Sequence, residues 1–287
     1  MPSVRDIRRR IRSVENTGKV TNAMSLVAAS KMRRAQMAVT QGRPYAEKML
    51  EVITNLAAQP INDSGSVDPL RESRPVNNVG LLLIEPDRGL AGGLHSSING
   101  SVGRFMGSLE SNVSTICVGR KGREFLNRSG SHIVEFFTDL GDRPTLSETE
   151  QISSLVIQEY SNGNMDELYV AYAKFESTMS QKPVVEKLLP VEPAELTPSA
   201  LSGYTYEPDP ESLIDTLLPK FIAVQVYQAI LESIASEQSA RMVAMRSATD
   251  NAKSLGEELP LTMNQLRQDS ITNELLDLVC GQMAIER

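Results

Sequence analysis

The stretch of this 287-residue chain whose residue types come nearest to chemistry is DRGLAGGLHSSI, residues 87–98. A glycine-rich turn between a strand and a helix can hold a phosphate on its backbone N–H groups. The glycines here match neither GxGxxG nor GxxxxGK followed by Ser or Thr, so the stretch is not read as a nucleotide site. His95 and His132 have no Cys, Asp or Glu at metal-ligand spacing and read as incidental. Cys117 and Cys280 are far apart and form no redox or metal motif, which fits a reducing compartment. No nucleophile–base pair is evident. The chain is therefore expected to be non-catalytic, with no cofactor and no metal.

The other chemically loaded feature is charge. Arg5, Arg8, Arg9, Arg10, Arg12, Lys19, Lys31, Arg33, Arg34, Arg43 and Lys48 crowd the first fifty residues, whereas the chain as a whole carries a formal charge of −7. An acidic total argues against general nucleic-acid binding, which needs a basic surface. Such asymmetry points to a segment set against a partner of opposite sign. An organelle-targeting segment is a further alternative, but a removable one has no use for the regular apolar repeat found here. No apolar run reaches the roughly 18–20 residues that span a bilayer. The chain is expected to be soluble and cytoplasmic.

These residues must be positioned by longer elements. Val4, Ile7, Ile11 and Val14 fall at the three–four spacing of a helical seam. After a drift around Gly18 the pattern resumes through Met24, Val27, Ala28, Met32, Ala35, Met49, Ile53 and Leu56. The spacing predicts one helix over residues 1–58, bent at Pro44, followed by a linker over 59–75. Residues 76–190 alternate apolar runs (79–84, 113–118, 133–137, 168–175) with helical stretches (92–107, 120–129, 145–161), and 176–190 can add an edge strand. That alternation predicts a mostly parallel, Rossmann-like α/β domain. A second linker, 191–208, leads to a helix over 209–287, opened by Asp209-Pro210 and broken or kinked at Pro219. Its apolar positions include Phe221, Val224, Leu231, Ile234, Met242, Met245, Ala248, Ala252, Leu255 and Leu266. The fold class is thus α/β: a long antiparallel coiled coil of the N- and C-terminal helices around a central α/β domain. At 1.5 Å per residue the helices would run roughly 80 Å and 100 Å. The C-terminal one would overhang with an apolar stripe of Ile271, Leu275, Leu278 and Met283, which calls for a surrounding partner.

With the elements in place, IRRRIRSVENTGKVTNAMSLVAASKMRRAQ, RPYAE, DRGLAGGL, SEQSARMVAMRSATDNA and LRQDSITNELLDLV resemble the γ subunit of F-type ATP synthase, in the right order along the chain. The resemblance implies a central-stalk rotor of a proton-translocating enzyme. Its partners would be the α and β subunits of the catalytic hexamer, the ε subunit and the c-ring. Membrane contact would be only through the c-ring, at the cytoplasmic face of the plasma membrane, and there would be no nucleic acid. A rotor drives a site only by contacting its alternative conformations unequally.

The resemblance also implies contact residues. Arg267, Gln268 and Thr272 would meet a β loop, although Asp269 departs from the small residue usual there. Met24, Lys19, Lys31, Arg33 and Arg34, with Asp87 and Arg88 of the glycine-rich loop, would pass the acidic lever of β. Ala91 stands where relatives often carry Cys, and the linker lacks the cysteine-bearing insertion of chloroplast relatives. Tyr45, Tyr204, Tyr206 and Glu207 would form the foot on the c-ring. Gly18, where relatives carry a longer polar residue, would fall opposite Gly256 and Pro260 and make a compliant segment. A nucleotide-binding α/β enzyme and a basic coiled-coil nucleic-acid binder are the competing readings.

Overall fold

The computed structural model describes residues 3–57, 70, 74–191 and 210–285. The expected foot residues Tyr204, Tyr206 and Glu207, the side chain of Met283 and most of both linkers lie outside the described residues. Two compact units are present: Ala28–Arg241, and Met1–Val27 with Met242–Arg287.

The unit Ala28–Arg241 is built on a five-stranded sheet of order β3-β2-β1-β4-β5. Its strands are β1 (Asn78–Ile84), β2 (Asn112–Val118), β3 (His132–Phe137), β4 (Glu167–Phe175) and β5 (Gln181–Leu189). β1 to β4 are mutually parallel, and β5 pairs antiparallel with β4 at the edge. The crossovers are α2 (Leu94–Gly107), α3 (Arg120–Ser129) and α4 (Leu146–Ser161).

Successive residues of a strand point to opposite faces, and β1 is apolar on both. Leu81 and Leu83 pack with Leu94, Ile98 and Val102 of α2 and Leu126 of α3. Leu82 and Ile84 pack on the other face with Ile152, Val156 and Tyr160 of α4. That second cluster also takes Met49 and Ile53 from α1 (Val4–Ala57), and Leu218, Phe221, Ile222 and Val226 from α5 (Pro210–Ile285). The bases of both terminal helices are therefore core elements of the sheet unit.

Burial along α1 follows a three–four alternation: positions 4, 7, 11, 14, 18, 21, 25 and 28, then 32, 35, 39, 42, 46, 49, 53 and 56, are buried or half-buried, with a few flanking positions such as Met24 and Asn55 also covered. The expected drift around Gly18 is absent. The seam continues through Gly18, Thr21 and Ser25, which a search for apolar residues passes over, whereas Val27, assigned to the seam, is exposed. On α5 the seam likewise uses Gly256 and Leu259 and leaves Leu255 exposed.

Pro219 does not break α5, which is continuous from Pro210 to Ile285. Proline removes one backbone hydrogen bond, and buried Ile214, Leu218, Phe221 and Ile222 hold the helix on either side of it. α5 is long and apolar enough to cross a membrane by length and composition alone, although charged and polar residues interrupt its apolar runs. Of its apolar residues, Leu218, Phe221, Ile222, Val226, Ala229 and Ile230 pack in the core of the sheet unit.

Candidate functional site

The glycine-rich turn lies where ligands bind in open α/β sheets, outside the carboxyl ends of the strands. Glu85, Asp87, Asp139 and Glu237 line the cleft there, together with Gly119 and Gly141. A phosphate at this point would meet carboxylates. The loop also turns its carbonyls inward: Arg241 of α5 donates to the oxygens of Arg88 at 3.3 Å and Gly89 at 3.2 Å. Its geometry and charge are those of a structural tie, not a phosphate cradle.

Asp87 is the clearest example. One of its carboxylate oxygens accepts from the backbone N–H of Arg120 and the other from that of Asp139, each at 3.0 Å. The expected outward-facing charge is thus spent on joining the ends of β2 and β3 to the loop. Arg88 keeps an exposed side chain. Leu90 takes a left-handed φ of 64° and is 62% exposed, a conformation a leucine holds only where its surroundings enforce it.

The segment Ser236–Arg241 docks one loop after another. Ser236 donates to the oxygen of Ala173 at the end of β4, and Ser239 to that of Thr178 in the β4–β5 turn. Gln238 donates to Asp142 in the loop before α4. Arg241, besides its two carbonyls, pairs with Glu237 at 2.6 Å. Lys31 of α1 also binds Asp142, so this lysine has an internal partner and is less free for an acidic lever than its position suggested. Arg43 pairs with the buried Glu232, whose other oxygen accepts from the N–H of Phe175.

Among the remaining expected contacts, Lys19, Arg33 and Arg34 are exposed, Met24 is half-buried and Tyr45 is 60% exposed. In the unit of Met1–Val27 with Met242–Arg287, the helices run antiparallel. Thr21 and Thr249 share a hydrogen bond of 2.8 Å, and a Cβ at Gly18 would stand 3.3 Å from that of Ala252. Gly18 therefore faces Ala252, one turn before Gly256, and nothing lies within 4 Å of a Cβ at Gly256. Pro260 is half-buried. Every residue from Arg267 to Gly281 is exposed. Ile271, Leu275, Leu276, Leu278 and Val279 are each about half-exposed or more, and Thr272 returns its hydroxyl to the oxygen of Gln268 at 2.9 Å.

Sequence reasoning missed two features. His95, read as incidental, bridges buried Glu85 and the oxygen of Arg88. The hub at 236–241 stands in the sequence only as part of SEQSARMVAMRSATDNA. No local spacing signals either one, because apart from the Glu237–Arg241 pair the partners lie outside the helix that carries the residue.

The family model described as ATP synthase matches residues 3–285. An ATP synthase gamma chain of Dehalococcoides mccartyi is 51% identical over 286 residues, covering 99% of this chain and 100% of that protein. One from a Roseiflexus species is 44% identical, covering 99% of each. Among solved structures, the central stalk and c-ring assembly of Tetrahymena thermophila mitochondrial ATP synthase contains a chain that aligns at TM-score 0.61 and 25% identity. That alignment covers 80% of this chain and 99% of the other. The rotor of the Euglena gracilis enzyme aligns at TM-score 0.67 and 16% identity, covering 93% and 98%, a likeness of fold. With the fold and its ties in view, and with relatives this similar over their whole length, the chain belongs to the ATP synthase gamma chain family.

Proposed function

We infer that the chain is the central-stalk rotor of a proton-translocating F-type ATP synthase. It couples rotation of a c-ring to sequential conformational change in the catalytic β subunits and makes or breaks no bond itself. Family membership over the full length supports this role, and one structural observation carries it: α5 continues from Arg267 to Gly281 with every residue exposed and an apolar stripe uncovered. Exposed apolar surface of that extent marks an interaction site, and a sleeve of α and β subunits fits a lone helix.

In this reading residues 1–58 and 209–287 form the stalk and 76–190 the foot domain, with linkers at 59–75 and 191–208. Arg267, Gln268 and Thr272 are the polar contacts to β beneath the sleeve-inserted Ile271, Leu275, Leu278 and Met283. Lys19, Arg33, Arg34 and Arg88, with Met24, pass the acidic lever of β. Screened surface charges of this kind contribute about 0–1 kcal/mol each, which suits a sliding contact. Tyr45, Tyr204, Tyr206 and Glu207 face the c-ring, beside the ε subunit, and the complex lies on the cytoplasmic face of the plasma membrane. The small-residue seam at Gly18, with Gly256 and Pro260, is the place where the stalk yields under torque.

The test is reconstitution. The chain, mixed with α and β subunits, should give a complex whose ATPase activity depends on it, with α5 at the centre of the ring by imaging. A hexamer with full, cooperative ATPase and no bound chain would sink the proposal.

A further inference from the structure

Glu85 follows directly on β1 with its side chain wholly buried, and its Oε2 lies 3.2 Å from Nδ1 of His95 on α2. On the far side of the ring, Nε2 lies 3.3 Å from the carbonyl oxygen of Arg88. A carbonyl only accepts, so that contact requires a hydrogen on Nε2. Nδ1 then meets Glu85 in one of two ways. A neutral ring accepts from a protonated carboxyl, or an imidazolium donates to a carboxylate. Both states contain the same single ionisable proton. When it leaves to solvent, one ring hydrogen remains for two acceptors. Charge-assisted hydrogen bonds are the stronger kind, so it settles on Nδ1 against the carboxylate. Nε2 then turns a lone pair toward the Arg88 carbonyl, and that contact is lost.

We propose that Glu85 and His95 form a one-proton latch on the Asp87–Gly93 turn, closed on the Arg88 carbonyl while the pair holds its shared proton and released when the proton leaves. The turn is suited to such control, because it holds Leu90 in a left-handed conformation through a small number of ties. Arg241 continues to hold the carbonyls of Arg88 and Gly89 after release, so the turn loosens without unfolding.

The surroundings favour occupancy of the latch by a proton. Burial raises the Glu85 carboxyl above the ordinary carboxylate range, opposed by His95 and by Lys121 of α3, and aided by Glu124 of the same helix. Oε1 of Glu85 is buried with no partner among the described residues, which penalises the charged form further. The charges of Glu124 on α3 and Glu237 on α5 favour the protonated ring, and Arg241, the partner of Glu237, opposes them. Cys117 of β2, beside Glu85 and flanked by Asp87 and Arg123, stays a neutral thiol. His95 is part-exposed, which gives the proton a way out.

The latch does not depend on the rotor role and can be tested on the full-length chain. Long-range proton–nitrogen spectra of histidine labelled in its ring identify which nitrogen carries hydrogen. The chain has two histidines, and a His132→Gln variant assigns them. As the shared proton is removed by raising the pH, the His95 hydrogen should pass from Nε2 to Nδ1. Amide exchange at residues 89–92, corrected for its intrinsic pH dependence, should accelerate several-fold in step. In Glu85→Gln the side-chain amide donates to Nδ1 with no ionisable proton, so Nε2–H should persist at high pH and the exchange rates stay flat. Retention of Nε2–H at high pH in the unmodified chain would overturn the latch, as would a transition in Glu85→Gln like that of the unmodified chain. The unmodified chain alone decides the matter if the variant does not fold.

Discussion

Cys117 and Cys280 share a side chain and differ in everything that governs its reactivity. Cys117 is fully buried, and burial, with the nearby Glu85, pushes its thiol up to about 12. Only the thiolate attacks alkylating reagents. Cys280 is exposed on the last turns of α5. In the free folded chain an iodoacetamide reaction should stop at one label per molecule, on Cys280, and reach two only in denaturant. Labelling of Cys117 at the same rate in the folded chain would contradict its burial. Glycine gives a second contrast at this scale. Gly256 has open space for a Cβ, so Gly256→Ala should raise stability by roughly 0.5–1 kcal/mol through helix propensity alone. Gly18 sits in the seam with Ala252 3.3 Å from its missing Cβ. Gly18→Gln should therefore cost about 1–3 kcal/mol by overpacking, with urea midpoints ranking Gly256→Ala, unmodified chain, Gly18→Gln. A Gly18→Gln chain more stable than the unmodified one would show that the seam yields freely there.

At the scale of elements, buried polar residues of α5 set its register. Gln228, Glu232, Ser236 and Ser239 recur about every turn, all buried, and bond to the Val39 oxygen, Arg43, the N–H of Phe175, and the oxygens of Ala173 and Thr178. Truncating one member of a buried ion pair strands the other, at about 3–5 kcal/mol. Arg43→Met should approach that loss, because it leaves the Glu232 carboxyl without its cationic partner at 5% side-chain exposure. Glu232→Gln should lose less, since its amide still bonds Phe175 and Arg43 is nearly half-exposed. Chemical denaturation checks the order, and a reversed order would mean that Arg43 contributes little. This ladder also marks the limit of what was legible in the sequence. β1 to β4 could be located to within a residue from their apolar runs, continuous in β1 because both its faces are covered, whereas the edge strand, expected only within 176–190, begins at Gln181. The helical seam was legible at Val4, Ile7, Ile11 and Val14 and illegible at Gly18, Thr21 and Ser25, where small residues pack without being apolar. The ties of Asp87, Gln238 and Arg241 were illegible for another reason: each joins elements far apart in sequence, and even the short link from His95 to Glu85 and Arg88 follows no spacing rule.

For the molecule as a whole, the decisive segment contributes least to the fold. Residues from Arg267 onward add no buried side chain among those described, and Leu278 is 70% exposed. A leucine, isoleucine or valine that passes from such exposure to full burial gains up to about 1.5–3 kcal/mol. Five such residues on one helix hold far more binding energy than folding energy. Deleting residues 271–287 should therefore leave the thermal transition of the Ala28–Arg241 unit unchanged, because its three apolar clusters lie within residues 35–240. The cost should fall on assembly. With α and β subunits and a membrane-embedded ring, the truncated chain should retain part of the ATPase activity and lose most ATP-driven proton pumping, read as quenching of a pH-sensitive dye in vesicles. The order of the two losses matters. Equal falls in hydrolysis and pumping would mean that the segment only helps the complex assemble. Pumping that survives the deletion intact would show that the exposed stripe is not the part of the chain that a sleeve must grip.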